Sequence, residues 1–332
     1  MPFRLGILGS GKGSNMVAIA EAIRAVEAAF VALAESRMHV PGSFTLDLPD
    51  VKGKVDVEGA YLSKAPYYVV RVSSTFSDNP AINLPVQSGL TTVFDATIGC
   101  PVAIMVDNGY LSHLRAGAAG ALAARYLANQ TINYVAVIGS GHQAYVQLKS
   151  LMMVRKFGLV SVWGRSPMSV DSYARRLVED HDLNIEIASS LEAAVRQADL
   201  IITATSSQHP LIKADWLKPG VHITAVGSDH PTKQELHVDV LQRADVIIAD
   251  KLDQCATDGE IHHALVAGVI TRDKIQGELG DLIIGKIPGR THPDQITIAD
   301  LTGLEVQDTA IATLALEKAF FLGLGQRVES RL

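Results

Sequence analysis

Apolar residues recur at intervals of three and four over residues 16–36, placing Ile19, Ile23, Val26 and Phe30 on one face of a predicted amphipathic helix. Val40-Pro41-Gly42 ends it. The pattern then changes to strands. Residues 44–48, 54–62, 67–73, 89–95 and 101–107 read as β, with turn residues between them, as in an antiparallel sheet. Asp78-Asn79-Pro80 and Asn83-Leu84-Pro85 mark a loop. Residues 111–128 form an alanine-rich helix that carries Arg115 among small residues.

From Asn133 onward strands and helices alternate. Asn133-Tyr134-Val135-Ala136-Val137-Ile138 reads as a buried strand that breaks into Gly139-Ser140-Gly141-His142-Gln143-Ala144 and opens a helix over 145–156. That order of strand, glycine turn and helix is a dinucleotide fingerprint. Gly139 permits the tight turn, Gly141 lets backbone N–H groups approach a pyrophosphate, and Ala144 allows close helix–strand packing. Leu159–Trp163 is the second strand, and Ser166 caps a helix begun by Pro167. A short strand at 184–188 precedes a capping box, Ser189-x-x-Glu192. Residues 198–205 and 244–250 are near-copies in pattern and read as buried parallel strands, with 221–226 between them. The expected fold is α/β, with a doubly wound parallel sheet over 129–305. A substrate and dimerisation domain is expected at 1–128, with the last helix, 306–322, free to pack back on it.

The chain has 332 residues, enough for two domains. Hydrophobic content of 48% and charged content of 19% mark a globular protein. A net charge of −6 without a long basic run argues against nucleic acid. No apolar stretch is long enough for a membrane span, and Lys12 and glycines interrupt any signal-like block, so a cytoplasmic protein is expected. Cys100 and Cys255 stand far apart, and none of the eleven histidines has metal-site spacing, so no metal is expected. Residues 5–15 resemble the opening of glycinamide ribonucleotide formyltransferases. However, Gly9, Gly11 and Gly13 alternate, which is neither dinucleotide nor Walker spacing, so this loop is not expected to hold the cofactor.

Ligands of open parallel sheets sit beyond the carboxyl ends of the strands. That rule nominates Gly139-Ser140-Gly141-His142-Gln143, Arg165-Ser166, Thr205-Ser206-Ser207 and Gly227-Ser228-Asp229. No acidic residue occurs from Gly139 through Val170, where an NAD site usually places one. Arg165 and Ser166 stand where a 2′-phosphate would be met, so NAD(P)(H) is expected, leaning to NADP(H). Asp229 at a strand end could act as acid or base, or simply cap a helix before Pro231. Arg115 could clamp a carboxylate or make a structural ion pair, and Glu58 with Arg71 could be an ordinary cross-strand pair.

Asp107-Asn108-Gly109-Tyr110-Leu111-Ser112-His113-Leu114-Arg115, Ile138 to Ala144, Val226-Gly227-Ser228-Asp229 and Asp300-Leu301-Thr302-Gly303-Leu304-Glu305-Val306-Gln307-Asp308 together resemble the ornithine cyclodeaminase/μ-crystallin family. Leu84-Pro85 and Pro288-Gly289-Arg290-Thr291 bring it near the ectoine-utilisation branch. The resemblance implies a homodimer in which a Rossmann domain is inserted into a discontinuous α+β platform. It implies Asp229 as catalytic acid/base, Arg115 as anchor of a substrate carboxylate, Glu58 near the substrate amine, and Arg71 where Lys is usual. The family's early substrate-binding Arg is missing around Pro41-Gly42-Ser43, and Arg at 71 does not readily give up a proton. The expected activity is therefore an NAD(P)-dependent imine reductase or amino-acid dehydrogenase acting on a small amino acid or imine. The alternatives are cyclisation of ornithine to proline with loss of ammonia, and NADPH-dependent binding without catalysis.

Overall fold

The computed structural model describes residues 2–6, 16–42 and 44–329, so the glycine loop at Gly9, Gly11 and Gly13 lies outside the described residues. In chain order the strands are β1 (Pro2–Gly6), β2 (Met38–His39), β3 (Phe44–Leu48), β4 (Gly53–Leu62), β5 (Tyr67–Phe76), β6 (Gln87–Asp95), β7 (Pro101–Met105), β8 (Tyr134–Ile138), β9 (Leu159–Trp163), β10 (Ile185–Ile187), β11 (Leu200–Thr203), β12 (His222–Ala225), β13 (Val246–Ala249), β14 (Gly277–Glu278), β15 (Thr297–Asp300) and β16 (Gln326–Glu329). The α-helices are α1 (Met16–Ala34), α2 (Tyr110–Leu127), α3 (His142–Met152), α4 (Pro167–His181), α5 (Leu191–Gln197), α6 (Val238–Arg243), α7 (Leu252–Asp258), α8 (Glu260–Val266), α9 (Leu279–Ile283) and α10 (Glu305–Phe321). Two compact units result, one of residues 1–115 with 305–332 and one of residues 116–304.

Unit one is a mixed sheet in the order β16-β1-β7-β6-β5-β4-β2, with β3 also on β4. The antiparallel meander β4-β5-β6-β7 is the part expected from sequence. The sheet also gains β1, parallel to β7, and β16, antiparallel to β1. Because side chains alternate across a strand, register decides which residues share a face. Ala60 pairs with Val69 and Val69 with Val93, and all three are buried. Helices α1 and α10 pack together, joined by a Lys318–Glu21 ion pair, and Thr309 Oγ1 of α10 donates to Ala60 O at 3.3 Å. The predicted stripe of α1 is buried at Ile19, Ile23, Val26 and Phe30.

Unit two is a sheet in the order β10-β9-β8-β11-β12-β15-β13-β14, with all its strand pairings parallel. Residues of β11, β12 and β13 are buried throughout, as helices on both faces require. The chain reverses direction across the sheet between β8 and β11, so their carboxyl ends bound the crevice. Three details differ from the sequence expectation. First, β15 inserts between β12 and β13; its four residues Thr297–Asp300 are too few to show a period. Second, α5 is capped by Ser190, whose Oγ accepts from Ala193 N at 3.1 Å, while Glu192 pairs with Arg196 instead of completing a capping box with Ser189. Third, the boundary between units falls inside α2, at Arg115/Ala116, not after residue 128. The small residues of α2 explain this. Ala124 and Ala128 belong to the unit-two core, and Gln147 of α3 donates to Ala116 O at 2.8 Å. Arg290 fixes the end of the same helix by donating to Leu127 O at 2.6 Å and to Thr297 Oγ1 at 2.9 Å. Among the described residues no helix is long and apolar enough to cross a membrane.

Candidate active site

In unit two the glycine turn is held between strand ends. Gly139 N donates to Trp163 O at 2.8 Å, and Ala204 N donates to Ile138 O at 2.9 Å. Gly139 has φ +123°, and a Cβ there would lie 2.6 Å from Ala204 O, so both conformation and space require glycine. Gly141 is the N-cap of α3, which therefore starts at His142 and not at 145. No side chain caps this helix, and open space lies beside Gly141. An uncapped helix N-terminus behind a glycine turn is a cradle that fits a pyrophosphate. Ser140 and His142 line an adjoining cleft of about 360 Å³ with Ser169, Ser172 and Arg176.

Arg165 is exposed just past β9. The Ser166 hydroxyl is engaged in capping α4, where it accepts from Ser169 N at 3.3 Å. Past β11, Thr205 N donates to the Glu235 carboxylate at 2.6 Å, Ser206 is exposed, and Ser207 Oγ donates to His209 O at 2.7 Å. Past β12, Gly227 N donates to Glu235 at 2.9 Å and Ser228 Oγ to Lys233 O at 2.7 Å. The Asp229 side chain is 47% exposed, and Lys233 Nζ lies 2.5 Å from its Oδ1. No helix follows Pro231 until Val238, whose cap is His237, so Asp229 is not a helix cap. Lys233 and Glu235 were not legible as site residues. Both lie in an irregular return loop without periodicity.

In unit one, register places Glu58 opposite Arg71 on the helix-covered face. Arg71 Nη1 lies 3.1 Å from Glu58 Oε2 and 3.6 Å from Asp308 Oδ2. Arg115 stands one turn inside α2, which Asp107 starts by accepting from Leu111 N at 2.5 Å. Its Nε is 3.4 Å from Asp308 Oδ1, and its Nη1 donates to Gln307 Oε1 at 3.2 Å. Arg71 and Arg115 thus meet at Asp308, with Glu58 joined to them through Arg71, and Asp308 was legible in the sequence only as part of a family likeness. The cluster holds two guanidiniums and two carboxylates, with side-chain exposure from 7% to 25%. Burial, then the charge of Asp308, raises the Glu58 pKa above the usual carboxylate range, against Arg71 and Arg115. Among the described residues no group of three or more His, Cys, Asp or Glu is placed to hold a metal.

Residues 12–320 match the family model of the ornithine cyclodeaminase/mu-crystallin family. An uncharacterized cyclodeaminase of Sinorhizobium fredii is 40% identical over 311 residues, 93% of this chain and 94% of the relative. An archaeal alanine dehydrogenase dimer with bound NAD superposes with a TM-score of 0.90 at 31% identity, over 99% of both chains. The Δ1-pyrroline-2-carboxylate reductase of Thermococcus litoralis, solved with NADH and L-proline, gives a TM-score of 0.91 at 26% identity, over 98% of this chain and 100% of that one. This chain belongs to the ornithine cyclodeaminase/mu-crystallin family.

Proposed function

We propose that the protein is an NAD(P)-dependent imine reductase or amino-acid dehydrogenase. The observation that carries this reading is the arginine cluster of unit one. Charge-assisted bonds ordinarily run about 2.7–2.9 Å, yet Asp308 stands 3.4 Å from Arg115 and 3.6 Å from Arg71. Two guanidiniums converging on one carboxylate suit recognition of a second, substrate carboxylate. Arg115 then anchors that carboxylate, and Arg71, steadied by Glu58, lies beside it. Glu58, with its raised pKa, takes a position near the substrate nitrogen. The residues around the Gly139 turn would hold the dinucleotide, which would supply or accept the hydride at the carbon of the C=N bond. Asp229 passes a proton to and from the nitrogen. The alanine dehydrogenase and pyrroline-2-carboxylate reductase among the relatives support this class of substrate.

Cyclodeamination requires proton traffic at a second amine. Arg71 in place of a lysine does not readily supply it, which favours reduction. Steady-state assays with cyclic and acyclic imino acids decide the matter. Consumption of NADH or NADPH with formation of the amino acid is expected. Release of ammonia and proline from ornithine, with no net cofactor change, would replace reduction with cyclisation. A narrower place in the ectoine-utilisation branch rests on Leu84-Pro85 with Asp107 to Leu111, and on Pro288 to Thr291. Arg290 in the second of these has a structural task, so the likeness there carries no information about substrate.

The leaning to NADP(H) rests on Arg165, exposed after β9, and on the absence of acids through Val170. NADPH is expected to bind at least as tightly as NADH in fluorescence titrations. A clear NADH preference that persists in Arg165→Ala would reject it.

A cytoplasmic homodimer is part of the same proposal. Register puts Phe44, Val57, Val72 and Leu90 in one row and Tyr61, Tyr68 and Phe94 in another, on the sheet face opposite Ala60 and Val69. Phe44 is 60% exposed, and a cavity of about 780 Å³ opens between His39, Pro41, Tyr61 and Val70. An apolar face of this kind suits a second copy joined by two-fold symmetry. Light scattering is expected to give about 71 kDa, twice the 35.5 kDa chain. A stable monomer at micromolar concentration would exclude this assembly.

A further inference from the structure

Strands β11 and β12 pair as far as Thr203 and Ala225, and Val226 N makes the last rung to Thr203 O at 3.0 Å. Beyond that point the chains part into the Thr205 and Gly227 loops, and the ladder offers no further acceptors. The Glu235 carboxylate takes their place. It is fully buried, and its two oxygens accept from Thr205 N at 2.6 Å and from Gly227 N at 2.9 Å. A Cβ on Gly227 would overlap that carboxylate, so the glycine is what admits it. Glu235 is itself held from two sides. Its carbonyl accepts from Leu211 N at 2.8 Å and Ile212 N at 3.0 Å. The equally buried Glu260 accepts from Glu235 N at 2.7 Å and Leu236 N at 3.0 Å.

Burying an acid is costly, and among the described residues no lysine or arginine pairs with Glu235. Burial raises its pKa, against the bonds it accepts. An apolar side chain would fill the space at lower cost. What a carboxylate adds is two acceptors aimed at two backbone donors on different loops.

We infer that Glu235 is a positioning residue for dinucleotide binding, its carboxylate fastening the Thr205 and Gly227 loops into one rigid rim. The inference rests on the dinucleotide reading of unit two, and its test separates the two. Glu235→Gln keeps the shape but turns an amide NH₂ toward one of the two backbone donors, leaving that donor unpaired. Hydrogen exchange is expected to lose protection at Thr205 and Gly227, and the NADH Kd is expected to rise roughly tenfold or more, the scale of one unpaired buried donor. Asp199→Ala, which removes a carboxylate that accepts from Asn133 N at 2.7 Å and Tyr134 N at 3.0 Å at the amino end of β8, away from both loops, is expected to lower Tm yet keep Kd within about twofold. Wild-type exchange at both amides with wild-type Kd in Glu235→Gln would overturn the inference. So would an equal loss of affinity in both variants, since that marks general destabilisation. If Glu235→Gln does not fold, Glu235→Asp, which keeps the charge but shortens the reach, is read by the same two measurements. Failure of the wild-type protein to bind NADH or NADPH would instead remove the dinucleotide reading, while exchange at the two amides would still report the clamp.

Discussion

Asparagine in place of Asp229 is expected to lower kcat by roughly 10²–10⁴-fold, the usual contribution of a general acid or base, with NADH and NADPH binding retained. The backbone before Asp229 is fixed by the Gly227–Glu235 bond at 2.9 Å and by the Ser228–Lys233 bond at 2.7 Å. The side chain itself is half exposed and has no structural task as a helix cap. Among the described residues it pairs with Lys233 Nζ at 2.5 Å, and an asparagine oxygen can still accept from that ammonium. The substitution therefore leaves the loop in place. It removes only the carboxylate's negative charge and its capacity to carry a proton. A developing positive charge on the substrate nitrogen then loses its stabilising partner, and the proton loses its route. Single-turnover measurements at saturating imine and reduced cofactor read this step directly, and fluorescence titration checks binding. Near-normal turnover of the true substrate would take Asp229 out of the chemistry. A nucleotide-dependent binding protein would then be the better description.

The sequence revealed most where one local rule decides the outcome. Strand β8 and the Gly139 turn follow from a buried apolar run meeting Gly-x-Gly-x-x-Ala, although α3 starts three residues earlier than expected, directly behind Gly141. The α1 stripe and Ser166 capping α4 follow equally from period and cap chemistry. Contacts between distant segments were not legible. Glu58 and Arg71 could be placed on neighbouring strands, but nothing in residues 44–108 indicates that Asp308 completes their cluster. The Glu235 clamp is of the same kind: thirty residues separate its carboxylate from Thr205 N. β15 was missed because four buried residues carry no alternation. Ser189 and Ser190 compete for one cap, and only the bond from Ala193 N decides between them.

Arg115→Ala is expected to raise KM for the amino or imino acid by roughly 30–1000-fold, the scale of about 2–4 kcal/mol for a lost charged anchor. The anchor serves ground and transition states alike, so kcat should change far less than KM. Arg115→Lys keeps the charge but loses the planar fork, and its KM should fall between the two. A structural role predicts a different result. The Arg115 side chain, 14% exposed, reaches Asp308 and Gln307, and so ties α2 to α10 within unit one. If that tie were its whole task, Arg115→Ala would lower Tm and leave KM unchanged. Asp308→Asn discriminates further. It weakens the tie from the other side while leaving both guanidiniums charged. An anchoring Arg115 then has less competition for the substrate carboxylate, and KM should hold steady or fall even as Tm drops. A rise in KM in Asp308→Asn equal to that in Arg115→Ala would mean that the intact cluster, and not the Arg115 guanidinium alone, binds the substrate.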